Sequence, residues 1–220
     1  MFSLSTDKAL EAPLSVADMQ ALRDLLGDAV QPHQAIAMLD LGNQRSSLLI
    51  SEGDSGHPLP VVHHMLLGMD LLAKRTFKHH MPTEAQLEQG IMLVEDAVMP
   101  LARLIPVSNV FVTRDPCLLE VGQHALGVQD LQAAWLNSGR LPVLSREAIE
   151  SQFDELARQA AHPQVPSHGL PQSPRWAAAL LILREILHHW HLGTVRLLPS
   201  LQAPTTSAKA KATTQTSPKG

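Results

Sequence analysis

The fold is decided by one segment, Met38-Leu39-Asp40-Leu41-Gly42-Asn43-Gln44-Arg45-Ser46-Ser47-Leu48-Leu49-Ile50. An apolar run ends in Asp-Leu-Gly, passes through short polar residues and resumes as a second apolar run, which predicts a β-hairpin. Such a hairpin carries the carboxylate of Asp40 and a backbone turn to a place where a phosphate can bind. Glycines let the N–H groups of such a turn approach phosphate oxygens, yet Asn43 and Gln44 stand where further glycines are expected. The segment therefore combines the frame of a phosphate loop with side chains that obstruct it.

Further strands are predicted on either side of this hairpin. Apolar runs bounded by turn residues predict strands at 35–41, 48–51 and 60–67, and the tight turns between them favour adjacent antiparallel pairing. Short apolar segments at 109–113 and 194–198 are predicted to join the same sheet. The chain is therefore expected to contain a mixed sheet rather than a helical bundle.

Helices are predicted between and after these strands. Ser15 followed by Asp18 is typical of a helix N-terminus, and Thr83 opens a capping box. Pro100 is expected to kink the helix that follows Thr83 or to begin a new one, because proline lacks an N–H donor. The other helices are predicted at 116–126, 128–136, 146–160 and 174–190. An apolar stripe on the helix after Thr83 is either part of the core or an exposed interface: Leu87, Ile91, Val94, Val98, Leu101 and Ile105.

The composition indicates a soluble globular protein of one domain. The chain has 220 residues, of which 45% are hydrophobic and 17% charged, values that suit a packed core. A net charge of −4 and an aromatic content of 3% argue against nucleic acid as a partner. No apolar stretch is long enough for a membrane span. The single cysteine, Cys117, predicts a reducing, cytoplasmic location. The predicted organisation is a flexible N-terminus at 1–14, a folded body at 15–199 and a disordered tail at 200–220.

The motifs, taken in order, resemble the second lobe of the exopolyphosphatase / guanosine-pentaphosphate phosphohydrolase (Ppx/GppA) family. That family has Asp-Ile-Gly-Gly-Gly-Ser-Thr-Glu-Leu in its second phosphate loop, which falls on residues 40–48 of this sequence. Other segments similar to family motifs follow in the family's order: Leu67-Gly68, Arg75-Thr76-Phe77, Phe111-Val112-Thr113, Leu144-Ser145-Arg146-Glu147 and the helix at 175–183. The resemblance covers roughly residues 30–198.

This resemblance implies an α/β fold, a single ribonuclease-H-like (actin-like ATPase) lobe with a mixed sheet and packed helices. It also implies a phosphate site, and Asp40 is the residue expected to hold a metal there, with Mg²⁺ the cofactor if any activity remains and no cofactor otherwise. The alternative role of Asp40 is to cap the turn that follows it. The implied phosphate-binding residues are Asp40, Gly42, Asn43, Ser46, Thr113 and Arg114.

The sequence departs from the family where the chemistry would occur. Ser47 replaces the carboxylate that would orient a water, and Arg114 with Asp115 replaces a Gly-Gly turn. The family's first lobe is also expected to be absent. These departures predict a degenerate, non-catalytic bacterial protein that binds a protein partner, forms a homodimer, or weakly binds a phosphorylated ligand. The alternative is an exopolyphosphatase or guanosine-pentaphosphate phosphohydrolase that is active with a first lobe supplied in trans. Arg45 and Arg114 either bind an anion or pair with surface carboxylates.

The histidines and the cysteine suggest weaker alternatives. The pairs His63-His64, His79-His80 and His188-His189 do not point in one direction as chelating residues must, although His191 lies three residues after His188. A metal-binding protein is therefore the third function class. Cys117 is either a thiolate stabilised at a helix start or a buried inert thiol, and the second interpretation is favoured.

Overall fold

The computed structural model describes residues 14–52, 60–164 and 169–199. The predicted disordered tail (200–220) and, apart from Leu14, the predicted flexible N-terminus (1–14) lie outside the described residues. None of the helices in the described ranges combines the length and apolar character that a membrane span requires.

The described strands form a six-stranded mixed sheet in the order β3-β2-β1-β4-β6-β5. Antiparallel pairing joins β1 to β2 and β2 to β3, whereas β4 runs parallel to both β1 and β6. The strands are β1 (Ala35–Leu41), β2 (Ser46–Ser51), β3 (Val61–Met65), β4 (Asn109–Thr113), β5 (Val143–Ser145) and β6 (Thr194–Leu197).

Helices cover both faces of this sheet. Strand residues alternate between the faces, so Leu39 and Leu41 pack on one side and Ile36 and Met38 on the other. The second side is covered by α1, and the larger first side by the other helices. The helices are α1 (Val16–Leu26), α2 (Met69–Arg75), α3 (Glu84–Ala102), α4 (Pro116–Leu126), α5 (Leu131–Ser138), α6 (Arg146–Ala161) and α7 (Pro174–His189), with a short 3₁₀ turn at Gly27–Ala29.

Helix α7 forms the centre of the larger layer. Its residues from Trp176 to Leu183 are all buried, because α2, α3, α4 and α6 pack around it. A helix that is apolar on every side must be enclosed in this way. The Leu87 stripe of α3 is part of this core, with Leu87, Val94 and Val98 buried, so the interpretation as an exposed interface is wrong.

The sequence predicted most of these elements. The antiparallel order of β1, β2 and β3 and the presence of β4 and β6 in one sheet are confirmed. Strand β2 begins at Ser46, earlier than predicted, and the predicted ends of β3 and β6 were too wide. Strand β5 was missed, since three residues are too few for a periodic pattern.

Two helix predictions require correction. Of the two alternatives predicted at Pro100, a kink or a new helix, the new helix is wrong, because α3 runs through the proline and ends at Ala102. The helix predicted at 128–136 begins instead at Leu131, where the Asp130 carboxylate accepts from the N–H groups of Gln132 and Ala133. That carboxylate is the N-cap that the apolar pattern alone did not reveal.

Candidate functional site

The candidate site lies where the parallel strands β1 and β4 end at the same edge of the sheet. Leu39 pairs with Thr113, which brings Asp40 beside Arg114 one residue further along each strand. In open α/β sheets, ligands bind at the carboxyl ends of parallel strands. We call this edge the strand-end site and define it by Asp40, the turn 42–45, Thr113, Asp115 and Arg175.

Thr113 connects the ends of the two strands. Its buried hydroxyl donates to the carbonyl oxygen of Leu39 at 2.9 Å and accepts from the N–H of Asp115 at 3.1 Å. Both interactions lie within the protein, so the hydroxyl fixes the path of the chain from β4 into α4.

Asp115 is the N-cap of α4 and the most buried carboxylate of the site, with 3% of the residue exposed. Its Oδ1 accepts from the N–H groups of Cys117 (2.9 Å) and Leu118 (3.1 Å), and its Oδ2 accepts from the N–H of Leu41 (3.1 Å). The pKa of Asp115 is raised to about 6: burial is the main cause, the nearby charge of Asp40 adds to it, and the three N–H donors oppose both. Asp115 thus joins the end of β1 to the start of α4.

The turn 42–45 packs directly on the N-terminus of α2. The carbonyl oxygen of Gly42 accepts from the N–H of Met69 at 3.0 Å, and that of Asn43 accepts from Asp70 (2.9 Å) and Leu71 (3.1 Å). A Cβ on Gly68 would lie 2.3 Å from the Asn43 carbonyl oxygen. The turn therefore presents carbonyl oxygens to a helix N-terminus, which is the opposite of donating N–H groups to a phosphate.

Arg175, in the first turn of α7, joins the turn to α2. Its Nη2 donates to the Asn43 Oδ1 at 2.8 Å, and its Nη1 lies 2.9 Å from the Asp70 Oδ1. Asp70 also pairs with Lys74 at 2.9 Å. Arg175 therefore shares the Asp70 carboxylate with Lys74, and its donors hold the hairpin to the helix layer.

Ser46 and Ser47 lie on opposite faces of β2. The buried Ser46 hydroxyl donates to the carbonyl oxygen of Leu67 at 2.6 Å, and the Ser47 Oγ lies 3.1 Å from the Nδ1 of His64. In the register of the sheet, Ser47 stands between Asp40 and His64. Ser46 therefore secures the chain after β3, whereas Asp40, Ser47 and His64 form a row across three strands.

The strand register separates the remaining candidates. Asp40 is partly buried and follows the α1-facing side of β1, and Arg114 is exposed beyond β4. The pKa of Asp18 at the start of α1 is lowered mainly by hydrogen bonds from Ser15 and to a smaller extent by Arg114. Arg114 thus lies close enough to the start of α1 to act on Asp18, while Arg45 is exposed in the turn.

Cys117 lies beneath Arg175, with its Sγ 4.0 Å from the guanidinium Nη2. Burial is the main cause that raises the pKa of this thiol, Asp115 raises it further, and Arg175 opposes both. A raised pKa keeps the sulfur protonated and weakly nucleophilic. The structure therefore favours the interpretation as an inert thiol.

The structure brings together most of the predicted residues and adds others. Asp40, Gly42, Asn43 and Thr113 meet at one edge, whereas the Ser46 side chain faces the interior. Sequence reasoning missed the central roles of Asp115, Asp70 and Arg175. A signal existed for Asp115, since an aspartate directly before Pro116 is typical of a helix N-cap.

This arrangement of strands and helices is found in solved structures of the Ppx/GppA family. Two structures of the Aquifex aeolicus Ppx/GppA protein are similar, at 16% identity with TM-scores of 0.56 and 0.57. The chain has the Ppx/GppA fold. A third structure, described as an exopolyphosphatase-like protein, matches at 15% identity with a TM-score of 0.55. The predicted actin-like, ribonuclease-H-like α/β class is thereby confirmed.

The match covers most of this chain and about half of each Ppx/GppA structure. The shares are 76% of this chain and 53% of the first Aquifex protein, and 80% and 56% for the second. No protein-family model matches the sequence, and no curated protein is similar to it. The Ppx/GppA fold is therefore recognised from the arrangement of elements rather than from conserved sequence.

Proposed function

We propose that this chain is a non-catalytic Ppx/GppA-like protein that acts by binding a protein partner. One observation supports the proposal most directly: polar groups of the strand-end site are engaged in bonds within the chain. Thr113 bonds to backbone groups of Leu39 and Asp115, the Asp115 carboxylate accepts from three N–H groups, and Arg175 is held by Asn43 and Asp70. These bonds are typical of a structural junction.

The energetics of phosphoryl transfer favour the same conclusion. Catalysis of this reaction depends on donors and metal ions that are positioned for the charge of the transition state. The loss of a single such donor costs a factor of about 100 to 1,000 in rate. Here the Asn43 carbonyl faces the first turn of α2, and Ser47 stands where the family has a carboxylate. We therefore infer that hydrolysis by this chain is at background.

A protein partner is the occupant that the surface next to the site suits best. Leu66 is 80% exposed, and Leu93 lines a groove with it beside α2. Apolar side chains grouped in this way are typical of protein contacts. The residues that line this groove, the Leu66 groove, are Leu66, Leu67, Leu71, Leu72, Arg75, Thr76 and Leu93.

The decisive experiment is a hydrolysis assay on the purified chain. Magnesium with long-chain polyphosphate, or with guanosine pentaphosphate, should release no phosphate above the rate of Asp40→Ala. A magnesium-dependent release that Asp40→Ala abolishes would contradict the proposal. Binding of tripolyphosphate, measured in parallel by calorimetry, separates a weak phosphate-binding role from a purely protein-binding role.

A second candidate is a phosphohydrolase completed by a lobe from another chain. It is favoured by the position of Asp40 and Thr113 at the ends of β1 and β4. It is also favoured by the structural match, which covers about half the length of each Aquifex structure. In that case Asp40 would hold Mg²⁺, and activity would appear only when the second chain is added. For both candidates we propose a cytoplasmic location and a bacterial origin.

A further inference from the structure

Two helices bring metal-binding side chains together on the far side of the helix layer from the strand ends. Glu185 and His189 are four residues apart on α7 and therefore share one face of that helix. Glu95, on the neighbouring helix α3, meets them there. The three ligand atoms all lie within 4.8 Å of one another. None of these residues belongs to the strand-end site.

The distances in this cluster fit a metal ion. The His189 Nε2 lies 3.1 Å from the Glu95 Oε1 and 3.4 Å from the Glu185 Oε2. Nitrogen and oxygen ligands about 2.0–2.2 Å from a tetrahedral Zn²⁺ are themselves about 3.3 Å apart. Two of the three ligand separations therefore match those of a tetrahedral site, and the third, between Glu95 and Glu185, is at most 4.8 Å.

The Glu185 side chain is oriented towards His189 because one of its two carboxylate oxygens is already paired. The side chain is 1% exposed, and its Oε1 pairs with the Nη1 of Arg184, which leaves Oε2 directed at His189. Arg184 is in turn fixed by Glu150 at 3.0 Å and lies over the ring of Phe153 at 4.8 Å. Partners of this kind orient the ligands of metal sites.

The charges around the cluster also favour a cation. Glu95, Glu150 and Glu185 contribute three carboxylates, and Arg184 contributes one guanidinium. An excess of two negative charges remains when His189 is neutral. Such an excess next to a buried carboxylate destabilises the folded state unless a positive charge compensates it. A divalent ion would balance it.

We propose that Glu95, Glu185 and His189 bind Zn²⁺. An imidazole nitrogen with two carboxylates suits a first-row transition ion, whereas Mg²⁺ and Ca²⁺ prefer sites made of oxygen alone. Glu95 is 36% exposed and forms the open side of the site, so water can complete the coordination. The ion would link α3 to α7. It would take no part in phosphate chemistry at the strand ends.

The test is a titration of the untagged, chelator-treated full chain with Zn²⁺ by calorimetry, together with a thermal melt. We expect one Zn²⁺ per chain and a higher melting temperature with the ion. Glu95→Gln and His189→Gln should each weaken binding by about 100-fold. Their matched controls are Glu88→Gln on α3 and His162→Gln after α6, both at exposed residues, which should change the affinity less than about twofold.

Two outcomes would overturn the proposal. One is the absence of saturable binding by the wild-type chain. The other is binding that survives both Glu95→Gln and His189→Gln, which would place the ion on other histidines and leave these residues as a hydrogen-bonded helix contact. Visible absorption of the Co²⁺-loaded protein provides a second readout, because a tetrahedral site of this kind gives strong bands that both variants should remove.

Discussion

At the scale of single residues, two charged groups of the strand-end site hold elements together. Asp115 fastens the end of β1 to α4, and Arg175 fastens the hairpin turn to α2. Each of these side chains makes several bonds, so its removal affects more than one element. Two predictions follow from their chemistry.

The first prediction concerns the pH dependence of stability. The pKa of Asp115 is raised to about 6 from an ordinary value of 3.8, so the folded state prefers the protonated form. This contribution to the free energy of unfolding is complete below about pH 4 and is lost as the pH rises through 6, by about 3 kcal/mol at most. Urea unfolding from pH 4 to 7 should show this loss in the wild type relative to Asp115→Asn.

Asp40→Asn is the informative companion of that variant. Its carboxylate raises the pKa of Asp115, so its removal should shift the loss of stability to lower pH. Identical pH profiles for the wild type and Asp115→Asn would contradict the assignment.

The second prediction concerns Arg175. Arg175→Met keeps the apolar stem but removes the bonds to Asn43 and Asp70. Because the side chain is 40% exposed, solvent screens the ion pair, and we expect a loss of about 1 kcal/mol in the free energy of unfolding. Arg158→Met, which removes an exposed pair with Glu155 on α6, should cost less than half as much. Equal losses would show that Arg175 does not act as a junction.

The positions of site residues could be predicted from the sequence where a local motif indicated them. The positions of Asp40, Gly42 and Thr113 at the strand ends could be inferred from the hairpin pattern and the order of the motifs. Leu41, which bonds to Asp115, and Asn43, which bonds to Arg175, lie 74 and 132 residues away from them in the sequence. A contact over such a distance depends on packing, which no local pattern encodes.

At the scale of elements, the hairpin and α2 form one unit through Gly68. The backbone of the turn lies so close to this residue that a Cβ has no space.

The strength of the local sequence pattern explains which elements could be predicted. Strands β1 to β4 have clear alternation or apolar runs between turn residues, whereas β5 is short and exists because it pairs with β6.

The third prediction tests that close contact. Gly68→Ala would place a Cβ 2.3 Å from the Asn43 carbonyl oxygen, so the turn and α2 must separate. We expect a loss of about 2 kcal/mol or more in the free energy of unfolding, within the range for overpacked sites. Gly193→Ala is the control, because nothing lies within 4 Å of its added Cβ. A loss below 0.5 kcal/mol for Gly68→Ala, the ordinary range for surface changes, would contradict the contact.

At the scale of the whole molecule, the Leu66 groove is an apolar surface that includes the exposed side chains of Leu66 and Leu93. The Leu66 groove lies beside the strand-end site, since Leu66 follows β3 at the edge where β2 begins. The overall fold could be predicted because the order of strands and helices survives when motif residues change. The binding surface could not, because exposure depends on which faces the other helices cover.

The fourth prediction concerns association through that surface. We expect the chain to sediment as a homodimer at micromolar concentration and Leu66→Asp to shift it to the monomer, because a charge replaces a side chain that is 80% exposed. Val107→Asp is the control, since Val107 is fully exposed but precedes β4 at the opposite edge. A monomeric wild type, or a dimer that Leu66→Asp does not affect, would contradict this prediction.

The central position of α7 has a consequence for synthesis on the ribosome. The helix that fills the middle of the core, and the strand β6 that follows it between β4 and β5, come last among the described elements. Chains emerge at about 5–20 residues per second, so for several seconds α2, α3, α4 and α6 have no central helix to cover their apolar faces. The nascent chain thus passes through a period in which these apolar faces are prone to aggregation, and slow translation before residue 174 would prolong this period.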